Sequence, residues 1–170
     1  MRTLLTWLAG LFSLGAAAQA PLQTVDRVDV ARYMGKWYEI ASFPQHFQKG
    51  CSCTTAEYNL NTDGTVTVTN SCNKDGKRKV RTAKAKVTDP VTNAKLSVQF
   101  FWPFKGKYWI IDLNDAYSYA VVGHPSRDYL WILSRTPEMP KLQYEQILQR
   151  VAAKGYDVSK LRSTTQTCNQ

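Results

Sequence analysis

Gly35-Lys36-Trp37-Tyr38-Glu39-Ile40-Ala41-Ser42-Phe43-Pro44 reads as the first long strand of a closed β-barrel. Aromatic and β-branched residues favour a pleated, half-buried strand. Pro44 lacks an amide donor, so ladder pairing stops there. Upstream, residues 29–34 form a short helical turn with Asp29 as its N-cap. Gly35 then turns the backbone sharply into the strand, where a side chain would cost space.

Downstream, Gln45-His46-Phe47-Gln48-Lys49-Gly50 is a loop with an apolar tip residue, after which strands arrive at short intervals. Residues 54–60 place Thr54, Ala56, Tyr58 and Leu60 on one face. An Asp63-Gly64 turn leads into residues 65–71, where Val66, Val68 and Asn70 alternate with threonines. A polar turn over residues 73–77 precedes a strand at 80–87, with Ala83, Ala85 and Val87 on one face. Strands at 95–102, 108–113, 117–123 and 129–135 complete a set of eight. One helix follows over 140–153, with Leu142, Ile147, Leu148 and Val151 as its apolar stripe and Gly155 as its stop. A short extension over 163–167 ends near Cys168. Eight antiparallel strands in sequence remove their exposed edges by closing into an up-and-down barrel. The expected class is therefore all-β, an eight-stranded antiparallel barrel with one C-terminal α-helix packed outside. Strand spacing alone also admits a β-sandwich.

The first 18 residues carry one cation, Arg2, an apolar run and a small-residue end at Ala16-Ala17-Ala18, the pattern of a secretory signal peptide. Cleavage is expected after residue 18 or 20, leaving residues 21–170 as a single domain. The apolar run is too short for a comfortable membrane span, and no cysteine near the cleavage region offers a lipid-anchor site. The expected location is the periplasm or the extracellular space. In an oxidising compartment, Cys51, Cys53, Cys72 and Cys168 read as two disulfides. A metal reading is weak, because Cys51 and Cys53 have one intervening residue and His46 and His124 lie far away in sequence. No metal or cofactor is expected. Joining Cys51 to Cys53 is the poorest pairing, since residues two apart on a strand are separated by about 6.6 Å with parallel side-chain directions. Two arrangements stay open, each linking one of this pair to Cys72 and the other to Cys168.

Three motifs in order carry a family resemblance. Gly35-Lys36-Trp37-Tyr38 resembles the opening G-x-W signature of lipocalins, residues 114–120 resemble the turn between their sixth and seventh strands, and Ile132-Leu133-Ser134-Arg135 resembles their third motif. The middle motif departs from the usual T-D-Y, with Asn114-Asp115-Ala116 in that region. Trp37-Tyr38-Glu39-Ile40, Ala56-Glu57-Tyr58-Asn59-Leu60 and residues 128–137 are similar to the bacterial lipocalin and apolipoprotein D branch, and the likeness covers roughly residues 27–165. It implies a barrel floor built on Gly35, Trp37 and Arg135, with a guanidinium lying over the indole and contributing about 0.5–2 kcal/mol. A ligand would then enter only from the other end.

The resemblance, combined with strand parity, implies an inward-facing set. It comprises Ala56 and Tyr58, Val68 and Asn70, Leu96, Val98 and Phe100, Tyr108 and Ile110, Ala120 and Val122, and Tyr129, Trp131 and Leu133. This is an apolar tube with a few orienting polar groups, the character of a pocket for lipid-like molecules. Glu39 shares parity with Trp37 and would need a hydrogen-bond partner inside. The resemblance also implies the pairing Cys51–Cys72 and Cys53–Cys168, because Cys53 stands where that branch carries a cysteine joined to the C-terminus.

The formal net charge is +9, falling by one when Arg2 leaves with the signal segment. In the inferred topology Lys49, Lys74, Lys77, Arg78, Lys79, Lys105 and Lys107 all lie in loops at the open end, as a basic rim. Such a rim suits an amphiphile with an anionic head, a fatty acid or lysophospholipid, and would also meet an anionic membrane surface. Nucleic-acid binding is not expected, since the aromatics sit on inward strand positions rather than among the basic loops. The alternatives are a lipid-modifying enzyme, for which neither histidine sits in a triad pattern, and a structural or interaction barrel without a ligand. A monomer and a homodimer both fit.

Overall fold

Asp29 caps a single helical turn, α1 (Val30–Tyr33), by accepting a hydrogen bond from the Arg32 amide. Gly35 carries the chain into β1 at φ +90°, in a region that a Cβ disfavours. A Cβ there would also meet Nη1 of Arg135 at 3.4 Å. The computed structural model describes residues 20–101 and 104–168, so the signal segment at 1–18 lies outside the described residues.

After β1 (Gly35–Ser42) come β2 (Ser52–Leu60), β3 (Val66–Lys74), β4 (Lys77–Val87), β5 (Lys95–Phe101), β6 (Phe104–Leu113), β7 (Tyr119–Gly123) and β8 (Leu130–Ser134). They are followed by α2 (Lys141–Ala153) and a two-residue β9 (Arg162–Ser163). From β1 to β8 each strand pairs antiparallel with the next, and β1 closes the barrel by pairing with both β2 and β8. The chain is an eight-stranded antiparallel barrel with one extra short strand and a C-terminal helix.

β1 is shared unevenly. It pairs with β2 only over Gly35–Tyr38, and a bulge between Glu39 and Ala41 interrupts its register with β8. Beyond that point β9 takes the place of β2, setting Ser163 opposite Ala41. The C-terminal segment then threads between the diverging strands. Thr164 N donates to Ile40 O, Cys53 N donates to Thr165 O, and the Gln166 side-chain amide donates to Glu39 O and Thr54 O. The expected extension at 163–167 is therefore mostly irregular backbone, bonded on both sides but laddered only at its start.

The connection from β3 to β4 is tighter than the polar loop expected at 73–77. Lys74 sits opposite Lys77, and the turn is Asp75-Gly76 alone, at φ 52° and 69°. Two positive φ values at the centre of a two-residue hairpin match the twist of the flanking strands. β3 and β4 consequently run on into what was expected to be loop.

Apolar residues form two layers. Val66, Val68, Ala83, Ala85, Leu96, Val98, Ile110, Ala120, Val122 and Leu133 pack inside the barrel with Trp37. Outside, Ile147 and Val151 of α2 pack against Ile111, Val121 and Ile132. β7, β8 and the 109–111 stretch of β6 therefore bury both faces, which is why they read as continuous apolar runs. Leu142, expected on the helix stripe, is 67% exposed. Five residues at 100° each set it about 140° away from Ile147, and Tyr144 packs on that layer instead.

Candidate functional site

The end of the barrel beside α1 is closed. The Arg135 guanidinium carbon stands 3.7 Å from the centroid of the Trp37 ring. Its nitrogens donate to three carbonyls, Lys36 at 2.9 Å, Arg32 at 2.8 Å and Tyr117 at 3.3 Å. Trp37 is fully buried, and its indole N–H donates to Tyr33 O at 2.9 Å. One planar cation thus satisfies the carbonyls at the end of α1 and the start of β1 while covering the indole.

Above this floor lies a layer of three tyrosines. The Tyr108 hydroxyl is 2.7 Å from that of Tyr33 and 2.8 Å from that of Tyr58. Burial pushes the Tyr58 phenol up to about 12 and raises those of Tyr33 and Tyr108 well above their usual value. Tyr33 was not among the inward set, since it comes from the helical turn and not from an alternating strand. Its only sequence signal was its place four residues before Trp37.

The remaining inward candidates sort by height. Ala56, Tyr58, Val68, Leu96, Val98, Ile110, Ala120, Val122 and Leu133 are buried together, with Tyr108 and Trp131 packed partly against them. Val66, Ala83 and Ala85 belong to the same lining, and strict alternation along their strands was the signal for them. Asn70 is half-buried, opposite Ala56 on one side and Arg81 on the other. Phe100 is on β5, but its side chain lies outside the described residues. Tyr129 precedes β8 and is 38% exposed. It stacks on Trp131 at 6.1 Å with a 14° interplanar angle, so it is a rim aromatic and not part of the wall. The turn closed by His124 N donating to Tyr129 O holds it above the last β7–β8 pair.

The open end is polar. Glu39 is buried and accepts from Ser42 Oγ at 3.0 Å, Thr164 Oγ1 at 2.6 Å and Gln48 Nε2 at 2.8 Å. The other end of the Gln48 amide accepts from Trp131 Nε1 at 3.4 Å. A cleft of about 530 Å³ opens beneath the 44–51 loop, lined by Glu39, Ser42, Thr54 and residues 162–164 among others. Thr54 Oγ1 is buried there with no hydrogen-bond partner among the described residues. Cys51 is joined to Cys72 with Cα atoms 5.6 Å apart, and Cys53 to Cys168 at 6.2 Å. These bonds pin the loop and the C-terminal segment to the β2–β3 wall.

The basic residues do not form one rim of loops. Lys49 alone of them is in a loop. Lys74, Lys77, Arg78 and Lys79 extend β3 and β4, while Lys105 and Lys107 belong to β6. Lys107 faces Ser97 on the outer side, and Lys105 shares its parity. Lys77 and Lys79 share parity with the buried Ala83 and Ala85, whereas Arg78 points to the opposite face. For Lys74, Lys77, Arg78 and Lys79 loop placement failed because the two-residue turn lengthened β3 and β4, and for Lys105 and Lys107 because β6 begins at Phe104.

No group of three or more His, Cys, Asp or Glu side chains converges among the described residues, and no helix among them is long and apolar enough to cross a membrane. Residues 28–166 match the family model of the lipocalin-like domain. The chain is 43% identical to temperature-induced lipocalin-1 of Arabidopsis thaliana, over 86% of this chain and 83% of that one. It is 44% identical to the outer membrane lipoprotein Blc of Escherichia coli K12, over 80% and 78%, and 33% identical to mouse apolipoprotein D, over 98% and 95%. The fold also matches insecticyanin from the tobacco hornworm Manduca sexta, with a TM-score of 0.70 at 21% identity, covering 86% of this chain and 85% of that one. The chain belongs to the lipocalin family, which binds small hydrophobic ligands inside such a barrel.

Proposed function

We propose that the protein is an exported carrier for one hydrophobic or amphipathic molecule, a long-chain fatty acid or a lysophospholipid. The observation that carries this reading is the one-ended barrel. Arg135 and Trp37 seal the floor, an apolar lining rises from it, and Trp131 with the Gln48 loop marks the other end. Binding rather than catalysis is the role we assign, because all four thiols are engaged in disulfides, which leaves the barrel no thiolate to act as a nucleophile. The signal-like residues 1–18 and the paired cysteines support export. Phe47, 69% exposed at the loop tip, and the neighbouring cations support a peripheral contact of the open end with an anionic membrane.

Titration of detergent-free protein with fatty acids and lysophospholipids, followed by tryptophan fluorescence, tests the reading. Saturable binding at micromolar or tighter affinity is expected, with Trp131→Ala and Tyr58→Ala each weakening it by more than about 1 kcal/mol. A panel of amphiphiles that gives no saturable response refutes the carrier role.

A further inference from the structure

We propose that the inner face of β4, centred on Arg81, seats the anionic head of the ligand, a carboxylate or phosphate on a single alkyl chain. The proposal rests on the carrier reading and assigns a residue that the basic rim did not include. The register between β3 and β4 runs without a break from Val66 opposite Ala85 to Lys74 opposite Lys77. Side chains on an unbroken strand alternate strictly. Ala85 and Ala83 are buried in the barrel lining, so Arg81, Lys79 and Lys77 continue the same inward face toward the open end. The strand changes from two alanines to three cations along one line, at a spacing of about 6.7 Å.

Arg81 sits directly opposite Asn70, which is itself opposite Ala56. An amide that donates and accepts therefore lies beside a guanidinium, just above apolar wall. That order matches an amphiphile standing head-up, with its chain against Ala83 and Ala85. Among the described residues none of the three inward cations takes part in an ion pair. Lys84, on the outer face of the same strand, is paired with Asp63 at 2.9 Å. Glu39, the buried acid at the open end, already accepts three hydrogen bonds from neutral donors. The inner cations are left for a ligand, and a guanidinium suits planar two-point recognition of carboxylate or phosphate.

The test compares Arg81→Gln with Arg78→Gln, a change of equal charge on the outer face of the same strand. Dodecanoate, monododecyl phosphate and dodecanol are titrated against each full-length exported protein. Thermal unfolding checks that both variants fold like the parent, as expected for exposed side chains that form no ion pair among the described residues. Arg81→Gln should weaken one or both anionic probes by about tenfold or more and leave dodecanol unchanged, while Arg78→Gln changes none of the three. The probe losing more identifies the head as carboxylate or phosphate. Equal losses in the two variants, or no loss in either, overturn the Arg81 assignment and leave the carrier reading standing. Loss of dodecanol binding in parallel also overturns it, making Arg81 a shaping residue only. A parent protein that binds none of the probes refutes the carrier reading and the assignment together.

Discussion

Oε2 of Glu39 accepts a 2.8 Å hydrogen bond from Nε2 of Gln48, tying the loop after β1 to the inner wall of the barrel. Oε1 of the same carboxylate holds Ser42 and Thr164. One buried acid therefore joins the wall, the loop over the mouth and the C-terminal segment. Its partners are all neutral, so the carboxylate depends on several weak donors rather than one cation.

Gln48 is the member of that network that lies in the short helical turn of the loop, outside the barrel strands. Gln48→Ala should free the loop, speeding both ligand association and dissociation several-fold and changing unfolding free energy by less than about 1 kcal/mol. Stopped-flow fluorescence through Trp131, whose indole N–H reaches Gln48 at 3.4 Å, reads both rates. Unchanged rates would show that ligands do not pass this loop.

Arg135 combines ring stacking with three carbonyl contacts at the floor. Arg135→Ala should destabilise the fold by about 2–4 kcal/mol, measured by urea unfolding. Arg135→Lys should recover less than half of the loss, because a point charge cannot stack and fork at once. Full recovery by lysine would reduce the role of Arg135 to its charge.

The tyrosine layer makes stability fall at alkaline pH. Tyr58 is raised to about 12 by burial, and Tyr33 and Tyr108 are raised in the same direction. The folded state therefore holds phenol protons that the unfolded chain releases near pH 10. Their contribution is complete below pH 10 and is lost as pH rises through about 12. Unfolding free energy measured from pH 8 to 11.5 should decline above pH 10. Tyr108→Phe should shallow the decline, while lowering stability at pH 8 by about 1–3 kcal/mol through the hydrogen bonds it removes. An identical slope in the variant would place the alkaline transition elsewhere.

The two disulfides should differ in worth. Cys53–Cys168 spans 115 residues and Cys51–Cys72 spans 21. Loop-closure entropy then makes the long bridge more stabilising by about 1.5 kcal/mol. Paired Cys→Ser variants compared by thermal unfolding check the order. A larger loss from the short bridge would mean that native contacts, and not chain entropy, dominate.

Much of the barrel was legible because its strands obey a period of two. Val66 and Val68, Ala83 and Ala85, and Leu96 and Val98 declared their buried face by alternation, and Trp37 and Arg135 stood out through their family motifs. Alternation marks a face only while one side is apolar. Above Ala83 the strand reads Lys77-Arg78-Lys79-Val80-Arg81, in which neither face is apolar, so nothing local says which cations turn inward. The register across the Asp75-Gly76 turn decides it. Tyr33 joined the interior for a similar reason, since a four-residue helical turn has no periodicity to read. The Glu39 network brings together residues as far apart as 125 positions, and their meeting depends on β1 leaving β2 at the bulge and admitting the C-terminal segment. Alternation, together with the family motifs, was enough for strand identity and for the part of the buried lining that the strands supply. The mouth of the barrel, its cations, its buried acid and its loop, took shape only when distant strands set one another's register.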